Sequence, residues 1–75
     1  MSKLPDVSGT ELVKALQKAG FLILRQKGSH VSMEKVYSAG QWRTIVPMHR
    51  EIARGTLHDI PKQTGLTRDE LRKLL

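Results

Sequence analysis

The N-terminal part of the chain repeats its apolar residues at helical spacing. The preceding Ser8-Gly9-Thr10-Glu11 has the spacing of a capping box, in which a hydroxyl and a carboxylate exchange hydrogen bonds with backbone N–H groups. Gly20 is the residue type expected just past a helix end. We therefore predict a helix over residues 9–18, after a lead-in over 1–6. Its apolar face would hold Leu12, Ala15, Leu16 and Ala19.

The middle of the chain changes from helical spacing to strand spacing. Residues 21–26 are apolar enough to predict a strand in the centre of a sheet, and residues 42–46 predict the third strand, which Pro47 ends. Between them, residues 31–37 alternate, with Val31 and Met33 on one side. The opposite side, which would face solvent, then holds His30, Ser32 and Glu34.

The C-terminal third predicts two helices. Thr56 begins a pattern that resembles a capping box, Leu57 and Ile60 give a buried side, and Gly65 ends the helix. Pro61 would be its fifth residue and should kink or loosen it. A second capping pattern around Thr67 and Glu70 predicts a short helix from residue 68 to residue 74.

The predicted order is helix, three strands, helix and short helix, in one domain over residues 1–75. Two short turns join the strands, at residues 26–30 and 38–41, and such turns produce an antiparallel meander. The fold class is therefore α+β, with a three-stranded antiparallel sheet and the helices on one of its faces.

Charge and composition limit the function classes. Lys and Arg total 13 against 7 acids, a net charge of +6, which favours a polyanionic partner: nucleic acid, an acidic protein or an anionic membrane surface. The absence of cysteine excludes disulfides and thiol chemistry, and the three histidines lack a metal-ligand spacing. No membrane-spanning run or signal peptide is visible, so we expect a cytoplasmic protein. We also expect no metal, cofactor or small-molecule ligand.

The first predicted turn carries the candidate chemistry. Gly28 allows a tight turn, Lys27 and Arg25 are nearby cations, and Ser29 can bond an anion. His30 would be the first residue of the returning strand, where the strand ladder fixes its position. Judged from spacing alone, such a histidine is more often an ordinary exposed strand residue than a catalytic one.

Several blocks of sequence resemble the HicA (YcfA-like) toxin family, and the helix–strand–strand–strand–helix order is that of the double-stranded-RNA-binding fold. The blocks keep the family's order and cover nearly the whole chain, whereas Pro61 departs from the family pattern. The resembling blocks are Ala19-Gly20-Phe21, Gln26-Lys27-Gly28-Ser29-His30, Val46-Pro47-Met48-His49, Arg54-Gly55-Thr56-Leu57 and Gly65-Leu66.

The resemblance implies a toxin of a type II toxin–antitoxin pair that cleaves mRNA, with His30 as the catalytic residue and a HicB-type antitoxin that covers it. RNA can be cut without a metal when its 2′-OH attacks the adjacent phosphorus, and imidazole suits the proton transfers because it titrates near cell pH. The expected substrate-binding residues around His30 are Lys27, Gly28 and Ser29, assisted by Arg25 and Lys35.

Other interpretations remain open at this point. The same fold could bind RNA without cutting it, although only Arg54 is a cation where the second helix starts, and duplex-binding domains carry a lysine cluster there. A non-catalytic domain that binds an acidic protein is the third possibility. His49 could be a second acid or base, but we favour a structural role; Trp42 and Tyr37 fit sheet packing better than base stacking.

Overall fold

A computed structural model describes residues 4–75, so part of the predicted lead-in, residues 1–3, lies outside the described residues. The order of elements is the predicted one, and the first and last helices have the predicted bounds. The elements are α1 (Gly9–Lys18), β1 (Leu22–Lys27), β2 (His30–Tyr37), β3 (Gly40–Pro47), α2 (Arg54–Thr64) and α3 (Arg68–Leu74).

Capping boxes begin both α1 and α3, as predicted. The Ser8 hydroxyl accepts from the Glu11 N–H at 3.1 Å, while the Glu11 carboxylate accepts from the Ser8 N–H at 2.9 Å. Thr67 and Glu70 repeat this exchange in α3. These hydrogen bonds lower the pKa of both glutamate carboxyls, because they favour the charged form.

The sheet is an antiparallel meander with strand order β1-β2-β3. The prediction that the first strand would be central is wrong. In a three-stranded meander the second strand must lie in the middle, so β1 becomes an edge strand, and all six of its residues are exposed despite their apolar character. Hydrophobicity alone indicated burial, but topology decided the strand's position.

All three helices contribute to a core on one face of the sheet. Val31 and Met33 are buried while His30 is exposed, so the predicted alternation along β2 is confirmed. The result is an α+β fold of the double-stranded-RNA-binding-domain type, and α1, α2 and α3 leave the opposite face of the sheet open. The largest fully buried side chains are Phe21, Leu4, Leu12, Leu16, Met33, Leu57, Ile60, Leu71 and Val46.

The second helix differs from its prediction at its start and at its proline. It begins at Arg54 rather than Leu57, and its N-cap is Ala53, which forms no side-chain hydrogen bond, instead of Thr56. Pro61 is consequently the eighth helical residue instead of the fifth, and the helix continues to Thr64. A proline in the last turn leaves most of the helical ladder intact, which explains why α2 does not end there.

Gly65 ends α2 with a left-handed backbone, φ 72°, as a C-terminal glycine often does. A Cβ at this position would approach the Trp42 ring to 2.6 Å. Trp42 in turn stacks on Tyr37, with ring centroids 5.7 Å apart. Trp42 therefore packs between the end of α2 and the core, which agrees with the expected packing role, while Tyr37 stacks on its ring and stays exposed.

We expect Gly65→Ala to destabilise the protein. A positive φ alone costs alanine about 1–3 kcal/mol, and the collision of its methyl group with Trp42 adds to this cost. Gly55→Ala is the matched control. Gly55 lies in the first turn of α2 with open space around it, so alanine there should stabilise by about 0.5–1 kcal/mol. Urea unfolding of both variants measures the difference; equal midpoints would contradict the packing described.

Candidate active site

The β1–β2 turn is a two-residue loop, Gly28-Ser29, closed by the pair Lys27 and His30. Gly28 has φ 58° and Ser29 has a negative φ, the pattern of a type II′ turn, whose twist matches that of a hairpin. The Gln26 side chain donates from Nε2 to the Gly28 carbonyl at 3.3 Å. His30 is thus the first residue of β2, as predicted, and the ladder fixes its backbone.

Backbone hydrogen bonds attach this turn to the rest of the molecule. The Met48 N–H donates to the Ser29 carbonyl at 2.6 Å, and the Gly9 N–H donates to the His49 carbonyl at 2.9 Å. A Cβ at Gly9 would overlap the Pro47 carbonyl oxygen, so the start of α1 packs closely on this connection. The turn, the end of β3 and the start of α1 therefore form one rigid unit.

A register shift in β1 determines which side chains share a face with His30. Ile23 pairs with Met33, and Arg25 pairs with Ser32, which leaves Leu24 as an extra residue between them. In a regular strand, residues 23, 25 and 27 would all lie on one face. The bulge at Leu24 breaks this alternation, as an inserted residue does.

The turn, and not the bulge, places two cations on the same face as the histidine. Directly paired residues share a face of a sheet, so Lys27 accompanies His30 and Arg25 accompanies Ser32. All of these except the half-buried Ser32 are exposed. Within residues 4–75, Arg25, Lys27 and His30 form no side-chain hydrogen bond or ion pair, which leaves them free to bind an anion.

Sequence reasoning missed this arrangement, although its signal was present. A two-residue loop closed by Lys27 and His30 makes Arg25 the partner of Ser32, by counting outward from the turn. The run Leu22-Ile23-Leu24 is apolar throughout, so it does not show which of its residues faces the core. Only the pairing of Ile23 with the core-facing Met33 shows that the register shifts at Leu24.

The structure places Lys35 away from the other candidate residues. Its Nζ donates to the Ala19 carbonyl at 2.7 Å, at the C-terminus of α1, where a cation is stabilising. Lys35 also contributes, as the smallest of several causes, to the lowered pKa of Glu70 in α3. This lysine is therefore engaged on the helix side of the sheet, and we leave it out of the proposed site.

The other two histidines occupy different settings. His49 follows the end of β3, is exposed, and bonds α1 through its backbone carbonyl, which agrees with the structural role favoured above. His58 lies on the exposed side of α2. Of the described residues, no group of three or more His, Cys, Asp or Glu is arranged to hold a metal ion.

An open cleft of about 610 Å³ runs between the sheet and α2. Met33 and Asp59 line it from the helix side, and Arg25, Ser32 and Ile45, which share a row of the other face of the sheet, also reach it. His30 and Lys27 are not among its lining residues. His30 therefore lies on the exposed surface outside this cleft. No helix within residues 4–75 has the length and apolar character needed to cross a membrane.

Fold and surface together define the class: a small basic protein with the α+β fold of double-stranded-RNA-binding domains and an exposed histidine at the tip of its first hairpin. The family model described as "HicA toxin of bacterial toxin-antitoxin" matches residues 9–66. The chain belongs to this family, so it is a toxin of a toxin–antitoxin system. Comparison with curated proteins gave no significant match, and neither did comparison with solved structures.

Two single-residue deletions test the register of β1. Deleting Leu24 removes the bulge and leaves Arg25 opposite Ser32. Deleting Gln26 also gives a regular ladder, but it moves Arg25 opposite Val31 and puts Leu24 opposite Ser32. We expect both variants to fold, and cross-strand nuclear Overhauser contacts should show Arg25–Ser32 only in the first. Finding that contact in both variants would contradict the assigned register.

Proposed function

We propose that this toxin is a metal-independent endoribonuclease that cleaves mRNA, with His30 as its proton-transfer residue. One observation carries the proposal: a hydrogen-bonded turn holds an exposed imidazole on the same face as Arg25 and Lys27, two cations without an ion-pair partner among residues 4–75. Family membership supports it, because it makes the chain a toxin. Its action on mRNA would take place in the cytoplasm.

The proposed reaction is transesterification at an RNA phosphate. The 2′-oxygen forms a bond to the adjacent phosphorus, the bond from phosphorus to the 5′-oxygen breaks, and a 2′,3′-cyclic phosphate and a 5′-hydroxyl result. Neutral His30 takes the 2′-OH proton while water protonates the leaving 5′-oxygen, or protonated His30 gives its proton to the 5′-oxygen while water takes the proton of the 2′-OH. A positioned acid or base contributes about 10²–10⁴ in rate.

The neighbouring residues would stabilise charge. Lys27, directly opposite His30, and Arg25, opposite Ser32, would face the phosphate oxygens as their negative charge grows in the transition state. At the turn, the backbone N–H groups of Gly28 and Ser29 or the Ser29 hydroxyl would donate hydrogen bonds to the phosphate. These groups supply both proton transfer and charge stabilisation, so the reaction needs no metal ion or cofactor.

We also propose that a HicB-type antitoxin inhibits the toxin by covering the hairpin tip. The toxin's family implies an antitoxin partner, and unpaired cations on an exposed turn suit carboxylates on that partner. Complementary charge would make association fast and sensitive to salt. Inhibition requires only that RNA be kept from His30, Ser29 and Lys27.

We expect His30→Ala to lower the rate of RNA cleavage by about 10²-fold or more, because the acid or base is lost. Stability should not change, because the side chain is exposed. His58→Ala is the matched control, an exposed histidine on α2 whose removal should leave cleavage unchanged. Gel analysis of RNA fragments in the presence of EDTA measures both variants and the metal independence together.

Three outcomes of that assay would overturn parts of the proposal. Wild-type cleavage by a folded His30→Ala protein would remove His30 from the reaction. Loss of activity in EDTA that one added metal restores would exclude metal-independent transesterification. Binding of RNA without any cleavage by the wild-type protein would favour the alternative function, a non-catalytic RNA-binding module.

A second pair of variants tests phosphate contacts. Lys27→Ala should weaken RNA binding for all sequences and reduce the slope of log K against log salt by about 0.7–0.9, the value of one contact. Lys35→Ala removes the same charge from a lysine that caps α1, so it should lower stability and leave the slope unchanged. Equal slopes for the two variants would show that Lys27 does not contact an RNA phosphate.

A further inference from the structure

From the open face of the sheet, we infer a path for the substrate: single-stranded RNA crosses this face beside His30, opposite the helices. This path rests on the proposed function and specifies two further points: the face of the sheet that the RNA contacts, and that the RNA is single-stranded. The open face is defined by its cross-strand rows, from the turn outward: Lys27–His30–Pro47, Arg25–Ser32–Ile45 and Leu22–Glu34–Arg43.

Charge divides the open face into two parts. Near the turn, Arg25 and Lys27 have no acidic partner among residues 4–75. Farther from it, Arg43 and Glu34 form an ion pair and cancel each other's charge. The attraction for phosphate is therefore concentrated in the two rows closest to His30.

Spacing in β1 also suits an extended polyanion. Arg25 and Lys27 are two residues apart on the same face, about 7 Å along the strand. Two cations at this separation can each meet a different phosphate of one strand, with the attacked phosphate between Lys27 and His30.

Apolar groups beside these cations offer contacts for bases. Ile45 is 56% exposed, although it lies in the row of Ser32 and Arg25. Pro47, opposite His30, extends this apolar surface to the catalytic row. Proteins bind single strands by combining a basic track with surfaces that the bases can pack on, which a duplex hides inside its stack.

Within the described residues, the start of α2 lacks the cluster of free cations that typical duplex binding uses. Arg54 is the cation at the start of α2, but its guanidinium donates to the Leu4 carbonyl and to the Asp6 carboxylate, the latter at 2.7 Å. Asp59 adds a negative charge one turn farther along α2. A duplex phosphate backbone would therefore meet an already paired guanidinium at this helix start.

Two charge-matched substitutions test the path. Ile45→Glu places a carboxylate in the row of Arg25. Val36→Glu makes the same change at an aliphatic residue that is 71% exposed and lies six residues along β2 from His30, about 20 Å away. That distance is about twice the Debye length at 0.1 M salt, so the control charge is screened from the site.

The probe is a single-stranded tetranucleotide of 2′-O-methyl RNA, which cannot be cut through its 2′-oxygen. Its dissociation constant and the amide shifts that it causes are measured by NMR titration. We expect Ile45→Glu to raise the dissociation constant at least fivefold and Val36→Glu to change it less than twofold. Shifts should concentrate at residues 25–32 and 45–48.

Equal weakening by the two substitutions would overturn the inference, as would tighter binding of a blunt RNA duplex with shifts on α1 and α2. Because the probe is never cleaved, these results do not depend on which residue performs the chemistry. Cleavage by His30→Ala would refute the proposed function and leave the binding path standing.

Discussion

The hydrogen bond from Met48 to the Ser29 carbonyl is the contact on which the candidate site depends. It joins the β1–β2 turn to the end of β3, and the neighbouring bond from Gly9 to the His49 carbonyl adds α1. An isolated two-stranded hairpin is marginally stable in water, so its tip would not by itself hold an imidazole in place. In this toxin three elements share that task, and His30 occupies a defined position while remaining exposed.

The distribution of ion pairs explains why the cations beside His30 are not neutralised within residues 4–75. Glu11 and Glu70 are used in capping boxes, Glu34 bonds Arg43, and Asp6 bonds Arg54. The cations beside His30 lack such partners in the described part of the chain. An exposed ion pair contributes little to stability, so leaving Arg25 and Lys27 unpaired costs the fold little. Their charge then remains available for a phosphate group or for a carboxylate of the antitoxin.

Local sequence signals predicted the elements that depend on nearby residues. The capping boxes of α1 and α3, the glycine that ends α2 and the first residue of β2 are set by interactions within a few positions of the chain. The errors have two different causes. β1 looked central because it is apolar, and its edge position is set by long-range pairing. The start of α2 was placed three residues late because its N-cap, Ala53, carries no capping side chain.

The sequence by itself determined the class of fold, the alternation that leaves His30 in solvent, and the motif that links the chain to its family. Only the tertiary structure decided how the cations are distributed. The two-residue turn puts Lys27 and Arg25 on the face of His30, the bulge at Leu24 puts Ile23 on the face of Met33, and the bond to Ala19 holds Lys35 on the helix side. Charges can be counted along a chain, but the face on which each one lies depends on strand register, which long-range pairing sets.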